Sequence, residues 1–251
     1  MALVLTEEQT MLRDMAKQFF TEQVPVTNLR KLRDEEDANG YDQDVWKQIV
    51  ELGFAGILIP EEHGGTAFGP IGLGIVMQEA GRTLAASPLY STAILGAGLI
   101  LASGSEAQKA ELLPKIASGE LLTALALEET THHNPKLVAM NAEPDADGFV
   151  LNGEKRFVID GHIADKLIVV ARTGGAAGDC HGLSMFLVDA HADGVDVTRT
   201  HMVDSRNAAL VKLDHVKVSA SDALGPIGAA MAELESVLDL GRACLAAEML
   251  G

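Results

Sequence analysis

The hydrophobic periodicity of this chain changes twice, and these changes constrain its fold more than any other feature. From the N-terminus to about residue 120, apolar residues recur at helical spacing. From residue 121 to about 225, short apolar runs alternate with turns rich in glycine and aspartate, which is typical of strands. From Pro226 the helical period returns. The pattern predicts an α+β multidomain protein with segments 1–120, 121–225 and 226–251.

The first segment carries clear helix-start signals. Thr6 with Gln9 and Ser105 with Gln108 each have the spacing of a capping box, in which two backbone N–H groups are satisfied reciprocally. Asp44 is placed to cap a further helix. These signals predict an all-helical N-terminal domain.

The middle segment reads as strands without intervening helices. Asn152-Gly153 lies between two apolar runs and predicts a hairpin turn, and the residues from Asp145 to Gly148 predict another turn. Because no helical stretch separates the strands, we expect an antiparallel β-barrel or sandwich rather than βαβ units.

Charge and composition exclude several function classes. The chain has 36 Asp and Glu against 19 Lys and Arg, a net charge of -17, which disfavours nucleic acid and anionic membranes as partners. No apolar run is long enough for a membrane span, so we expect no membrane insertion. Two cysteines suit a reducing compartment and predict a cytoplasmic protein. The histidines are scattered apart from His132-His133, so we expect no metal site.

Three segments, in order along the chain, resemble the acyl-CoA dehydrogenase family of flavoproteins. They read WKQIVELGFAGILIPEEHGG at 46–65, GFVLNGEKRFVIDGHIADKLIVVART at 148–173 and VLDLGRACLAAEMLG at 237–251. The resemblance implies a helical N-terminal domain, a middle β domain and the first helix of a C-terminal bundle. It also implies FAD, an acyl-CoA substrate, an electron-transfer flavoprotein as acceptor, and a homo- or hetero-tetramer. The implied reaction is α,β-dehydrogenation of a fatty or steroid-like acyl-CoA in lipid catabolism.

The same resemblance assigns candidate cofactor-binding residues. Phe157 stands where the family has an aromatic residue that stacks on the flavin. Glu128 and Ile159 each stand where the family has a threonine that donates a hydrogen bond to the flavin, and neither replaces that donor. His133 and Asn134 replace a Gly-Ser pair near the pyrophosphate. The full set is Leu125, Leu127, Glu128, His133, Asn134, Phe157 and Ile159.

The catalytic base implied by the family is a glutamate, and the resemblance assigns it to no residue of this chain. Some members place it one residue before an arginine in the first C-terminal helix; here that arginine is Arg242 and Gly241 precedes it. Most members carry it further along, which here means beyond Gly251. Asp239 and Arg242 match positions that bind the thioester ligand, although a surface ion pair is an alternative reading.

Two further hypotheses follow from these departures. Glu128, Ile159 and Gly241 also fit a non-catalytic, flavin-poor structural subunit of a hetero-oligomeric acyl-CoA dehydrogenase. An acyl-CoA oxidase is a third, weaker possibility. We also expect the last helix to expose Leu234, Leu238, Leu245 and Met249.

Overall fold

A computed structural model describes residues 4–251 of the chain. The α-helices of this described part are α1 (Glu7–Gln23), α2 (Val26–Asp34), α3 (Gln43–Glu51), α4 (Gly69–Arg82), α5 (Ala97–Ser103), α6 (Glu106–Ala117) and α7 (Met231–Leu250). The strands are β1 (Thr123–Ala126), β2 (Asn141–Asp145), β3 (Gly148–Ile159), β4 (Lys166–Arg172), β5 (Leu183–Asp189), β6 (Val195–His201) and β7 (Asn207–Ser219).

The helix starts mostly follow the sequence signals. Both predicted capping boxes are present, at Thr6 with Gln9 and at Ser105 with Gln108. The prediction that Asp44 caps α3 was wrong. Asp42 is the cap, because its carboxylate accepts the backbone N–H groups of Asp44 at 2.9 Å and Val45 at 3.2 Å. Asp44 lies in the first turn, where its negative charge favours the helix dipole.

Two helical features were not anticipated. Helix α2 is short and contains no fully buried residue; its apolar side chains Val26, Leu29 and Leu32 are half-buried. The stretch Leu89–Gly96 forms wide π-type turns that lead directly into α5, and every residue in it is buried. Such turns are rare and often occur at functional sites.

The middle domain is a curled mixed sheet, which corrects the expected antiparallel barrel in part. Its order is β1-β4-β2-β3-β7-β6, with β5 paired to β4. Most pairs are antiparallel, but β1 runs parallel to β4 and β2 contacts β4 in parallel. After β1 the chain forms the antiparallel pair of β2 and β3. It then returns as β4, which lies beside β1 and runs in the same direction.

The predicted hairpin turn at Asn152-Gly153 was wrong. Strand β3 continues through both residues, and its register against β7 shifts between Leu151 and Gly153. Gly153 has a φ of 145°, which glycine tolerates, so the dipeptide forms a bulge instead of a turn. The turn lies at Asp145–Gly148, as the second signal predicts, and joins β2 to β3.

Strand β4 is buried on both faces of the sheet. Along β4, Ile168 and Val170 join the core shared with the helices, while Leu167 and Val169 join a second core on the opposite face. This alternation follows from the two-residue period of a strand. The sheet therefore has a helix-facing side, on which the candidate site lies.

Helix α7 packs against the N-terminal helices, mainly α4. Leu234 is fully buried and Leu238 is 7% exposed, so the expectation that both are exposed was wrong. Leu245, which was also expected to be exposed, is half-buried. Met249 is exposed, as expected. The N-terminal domain already supplies an apolar surface for one side of α7. Across residues 4–251, no helix combines the length and apolar character that a membrane span needs.

Candidate functional site

A cleft lies where the end of β1, the end of β3 and helix α7 meet. Its cavity measures about 260 Å³. Its lining residues are Tyr90, Leu95, Leu125, Leu127, Glu128, His133, Phe157, Ile159, Leu238, Arg242 and Leu245. Most of the wall is aliphatic or aromatic, with a few polar groups, which is the usual composition of a small-molecule site.

Strand β1 supplies the floor of the cleft. Leu125 and Leu127 belong to the core shared with the helices, whereas Ala124 and Ala126 belong to the core on the other face. The period of two therefore directs both leucines to the cleft side. Sequence analysis assigned both of them, and the structure brings them together there.

Strand β3 presents an aromatic ring at the cleft through a bulge. The register against β7 shifts between Lys155 and Val158, and Phe157 adopts a φ of 50°. A bulky residue with positive φ is strained, and such strain concentrates at functional sites. Phe157 is 42% exposed and Ile159 is 36% exposed, although both are apolar. The bulge thus holds two apolar side chains open to the cleft.

Glu128, His133 and Arg242 form a polar chain across the cleft. His133 Nδ1 lies 2.5 Å from Glu128 Oε1, and His133 Nε2 lies 3.2 Å from an Arg242 guanidinium nitrogen. Because a guanidinium only donates, Nε2 accepts and the ring proton sits on Nδ1, which donates to Glu128. The other Glu128 oxygen accepts the backbone N–H of Asn134 at 3.2 Å. Both carboxylate oxygens are therefore engaged.

The assigned ligand-binding pair Asp239 and Arg242 is divided by the structure. Arg242 lines the cleft, whereas the Asp239 side chain is 74% exposed and is absent from the cleft wall. Arg242 donates to Asp239 at 2.5 Å and to Glu235 at 3.1 Å, and these hydrogen bonds raise its pKa. Asp239 acts here as one half of a surface ion pair. Asn134 does not line the cleft: its backbone N–H donates to Glu128, and its side-chain oxygen accepts the backbone N–H of Lys136.

A buried ion pair holds the cleft edges together. Lys155 of β3 is fully buried, and its Nζ donates to Glu129 Oε1 at 2.6 Å and to the Leu127 carbonyl at 3.1 Å. Glu129 also accepts the backbone N–H groups of Ala139 and Met140 at 2.8 and 3.0 Å. Burial lowers the pKa of Lys155 to about 8, while Glu129 opposes that shift. The pair fixes the exit of β1 against β3.

Gly241 faces a residue that sequence reasoning missed. A Cβ atom at Gly241 would lie 2.9 Å from the Tyr90 hydroxyl oxygen and 3.1 Å from a Leu95 methyl carbon. The position where some family members carry a base is thus filled by a phenol from the opposite wall. Tyr90, Leu95, Leu238 and Leu245 were not assigned. The only sequence signal for the first two is an apolar run that also fits any packed helix.

Glu128 is the only carboxylate in the wall of this cleft, within the part of the chain that the structure describes. In that same part, no group of three or more histidine, cysteine, aspartate and glutamate side chains is placed to hold a metal ion. A helical domain, a curled mixed sheet and an apolar cleft between the sheet and the following helix define the class of this α+β protein.

Comparison with known proteins gives this class its family. Residues 6–120 match the family model for the acyl-CoA dehydrogenase N-terminal domain, and residues 124–223 match the model for its middle domain. The chain belongs to the acyl-CoA dehydrogenase family. Members of this family are FAD-dependent flavoproteins.

Individual relatives support the same assignment. Mitochondrial isovaleryl-CoA dehydrogenase of Pongo abelii is 32% identical over 98% of this chain and 60% of its own length. The 3-(aryl)acrylate reductase of Clostridium sporogenes is 28% identical over 99% of this chain and 66% of its own. The chain thus spans about 60 to 66% of the length of these curated relatives.

Solved structures share the fold. Butyryl-CoA dehydrogenase from Megasphaera elsdenii superposes with a TM-score of 0.82, at 26% identity, over 99% of this chain and 66% of that chain. A variant of the Tcur3481-Tcur3483 steroid ACAD also gives 0.82, at 33% identity, over 96% of this chain and 62% of that chain.

The cleft residues fit one side of a flavin ring. An exposed aromatic ring at Phe157, beside the exposed Ile159, suits the apolar half of an isoalloxazine system. The pyrimidine half needs hydrogen-bond donors, which neither Glu128 nor Ile159 provides. The fit is therefore apolar on the β3 side, and the donors must come from other groups.

Proposed function

We propose that this chain forms the N-terminal and middle parts of an FAD-dependent acyl-CoA dehydrogenase. It then comprises a helical domain at 1–120, a β domain at 121–225 and the first helix of a C-terminal unit at 226–251. The observation that carries the proposal is the apolar cleft between the exposed Phe157 ring and the inner face of α7, since it offers one wall to a flavin and another to an acyl chain.

The chain's own residues position the reactants. Phe157 and Ile159 would hold the flavin ring, with Leu125 and Leu127 lining the same cleft. The bound flavin supplies the chemistry by accepting a hydride from the β carbon of the thioester. Helix α7 closes the opposite side with Leu238 and Leu245, which exclude water from the acyl chain.

We propose no base within this chain. Gly241 has no side chain, and Glu128 is held by His133 and the Asn134 backbone. A glutamate outside residues 1–251 removes the α proton in this scheme. Arg242 is the cation of the cleft wall, and it binds the thioester end of the ligand against the net charge of -17.

The finer features of the proposal follow the family. The substrate is a fatty or steroid-like acyl-CoA in lipid catabolism, the protein is cytoplasmic and tetrameric, and an electron-transfer flavoprotein takes the electrons. The similarity to the Tcur3481-Tcur3483 steroid ACAD supports the substrate class. The caffeyl-CoA reductase-Etf complex subunit CarC of Acetobacterium woodii is 26% identical over 99% of this chain and 66% of its own length, which supports that partner.

A specific observation favours a second candidate function. The carboxylate of Glu128 lies in the cleft, where charge on a reduced flavin would be disfavoured. A non-catalytic subunit of a hetero-oligomeric acyl-CoA dehydrogenase tolerates such a group. The name Tcur3481-Tcur3483 joins two designations, in keeping with a two-component assembly.

Visible absorbance during FAD titration of the purified protein separates the two functions. The dehydrogenase binds FAD, and Phe157→Leu weakens that binding because the leucine cannot stack. Phe149→Leu is the matched control, since Phe149 lies on the same strand but packs on Phe186 with ring centroids 5.1 Å apart. A protein that gains no flavin, expressed alone or with a partner chain, supports the structural subunit.

A further inference from the structure

Tyr90 lies where two cavities meet. Together with Ile159 it lines the apolar cleft of about 260 Å³ and also a second cavity of about 90 Å³. The wall of the second cavity is much more polar and includes Asp160, Asp204, Arg206 and Asn207. The side of Tyr90 that faces away from the apolar cleft is therefore the more polar one.

The Tyr90 hydroxyl has no hydrogen-bond partner among residues 4–251, although the residue is only 9% exposed. Buried neighbours are paired. Ser91 Oγ donates to Asp160 at 2.7 Å, and Thr92 Oγ1 donates to the Thr123 carbonyl at 3.2 Å. A tyrosine hydroxyl in an apolar setting usually finds a partner, and this one borders a cavity from which water or a ligand can pair with it. The phenol differs in this respect from the hydroxyls of the adjacent Ser91 and Thr92.

The protonation state of this phenol makes it a donor. Burial raises the pKa of Tyr90 to about 12; Cys244 and Glu248 add smaller increases, and Arg242 and Arg206 oppose them. None of these four side chains hydrogen-bonds to it. Gly241 leaves the α7 side of the hydroxyl free of a side chain, because a Cβ there would lie 2.9 Å from the oxygen. A protonated hydroxyl with no protein partner thus borders a mostly apolar cleft.

We propose that Tyr90 is a specificity-determining residue whose hydroxyl donates a hydrogen bond to an oxygen on the acyl group of the ligand. The substrate class is an acyl-CoA with a keto or hydroxyl oxygen beyond the segment that fills the apolar cleft. This inference rests on the proposed acyl-CoA function. An acyl group without such an oxygen displaces any water from the phenol and leaves it unpaired, so it binds less well.

Isothermal titration calorimetry of the purified protein tests the inference with decanoyl-CoA and its 5-, 7- and 9-keto derivatives. We expect at least one keto derivative to bind about 10-fold more tightly than decanoyl-CoA, the ratio that corresponds to one neutral hydrogen bond. Tyr90→Phe should reduce this ratio to about 1. Tyr41→Phe is the matched control, because Tyr41 is the other buried tyrosine and does not line either cavity.

The outcomes separate this inference from the proposed function. If decanoyl-CoA binds but no keto derivative is preferred, or if the preference survives in Tyr90→Phe, the inference is wrong while the acyl-CoA function stands. If no acyl-CoA binds at all, both are wrong. Thermal unfolding of each variant shows whether a lost preference reflects a lost fold, and a preference lost only in folded Tyr90→Phe supports the inference.

Discussion

Gly241 of α7 and Tyr90 of the π-type segment are complementary across the cleft: the glycine leaves the space that the tyrosine hydroxyl occupies. A Cβ atom on Gly241 would lie 2.9 Å from that oxygen, closer than side chains normally approach. No larger side chain fits at 241 while Tyr90 keeps its position. A glutamate base could therefore stand at position 241 only if Tyr90 moved or were replaced.

Gly241→Ala should destabilise the protein by about 1–3 kcal/mol, because it overpacks the contact with Tyr90. Adding Tyr90→Phe removes the clashing oxygen and should restore most of the loss. Gly74→Ala in α4 is the control, since its Cβ would meet only Ala247 at 4.0 Å and a helical alanine is favoured over glycine. Urea unfolding measures all three. An unchanged free energy of unfolding in Gly241→Ala would contradict the packing described.

Glu129→Gln should cost about 3–5 kcal/mol of stability, because it leaves the buried Lys155 ammonium without its counter-charge. Glu154→Gln is the matched change on the same edge of the sheet. Glu154 pairs with Arg156 at 2.5 Å, but both are partly exposed, so its loss should cost less than about 1 kcal/mol. Equal losses in the two variants, measured by denaturant unfolding, would show that the Lys155 pair is not what anchors β1.

Asp160 should make stability depend on pH. Burial raises its pKa from 3.8 to about 6, against the opposing effects of Ser91, Arg206 and Asn207. Between these values the folded state binds more protons than the unfolded state, so the contribution of Asp160 is complete below pH 3.8 and is lost as pH rises to about 6. The loss amounts to about 3 kcal/mol.

The matched variant for this effect is Asp160→Asn, which stays neutral and tolerates the positive φ of 56° at this position. The difference in unfolding free energy between wild type and variant should fall over that pH range. A difference that stays level, or that rises, would place the Asp160 carboxyl in more polar surroundings than the structure shows.

Glu128→Thr should tighten FAD binding about 5-fold or more, because it supplies one donor worth about 1 kcal/mol. It also removes a carboxylate from the flavin side of the cleft. Glu128→Val separates the two effects, since it removes the charge without adding a donor. FAD fluorescence titration measures the affinities. Weaker binding in the threonine variant would indicate that Glu128 itself holds the cofactor, through His133 and Asn134.

The sequence predicts the fold best where the signal is local. Both capping boxes follow from spacing alone, whereas Leu125 and Leu127 were assigned from the family resemblance. The mixed pairing of β1 with β4 does not, because partners 43 positions apart, such as Thr123 and Lys166, leave no periodic trace. Asn152-Gly153 has the composition of a turn, but long-range pairing of β3 with β7 makes it a bulge.

The candidate site, like the sheet, depends on residues that are far apart in the sequence. The motif positions Glu128, Phe157 and Arg242 converge on one cleft, although nothing in the sequence relates them except the family resemblance. Tyr90 escaped notice because its lack of a partner is a property of the packed structure. Asp239 was assigned to the ligand, but it lies three residues before Arg242 on the exposed side of α7. At that spacing it forms a surface ion pair with Arg242.

Anaerobic titration of the FAD-loaded, full-length protein with an acyl-CoA tests the central claim most directly. The account predicts that the visible absorbance of oxidised flavin is bleached as the thioester is added, and that an enoyl-CoA product accumulates in equal amount. A protein that binds FAD and acyl-CoA together but shows no bleaching with any fatty or steroid-like thioester would contradict it.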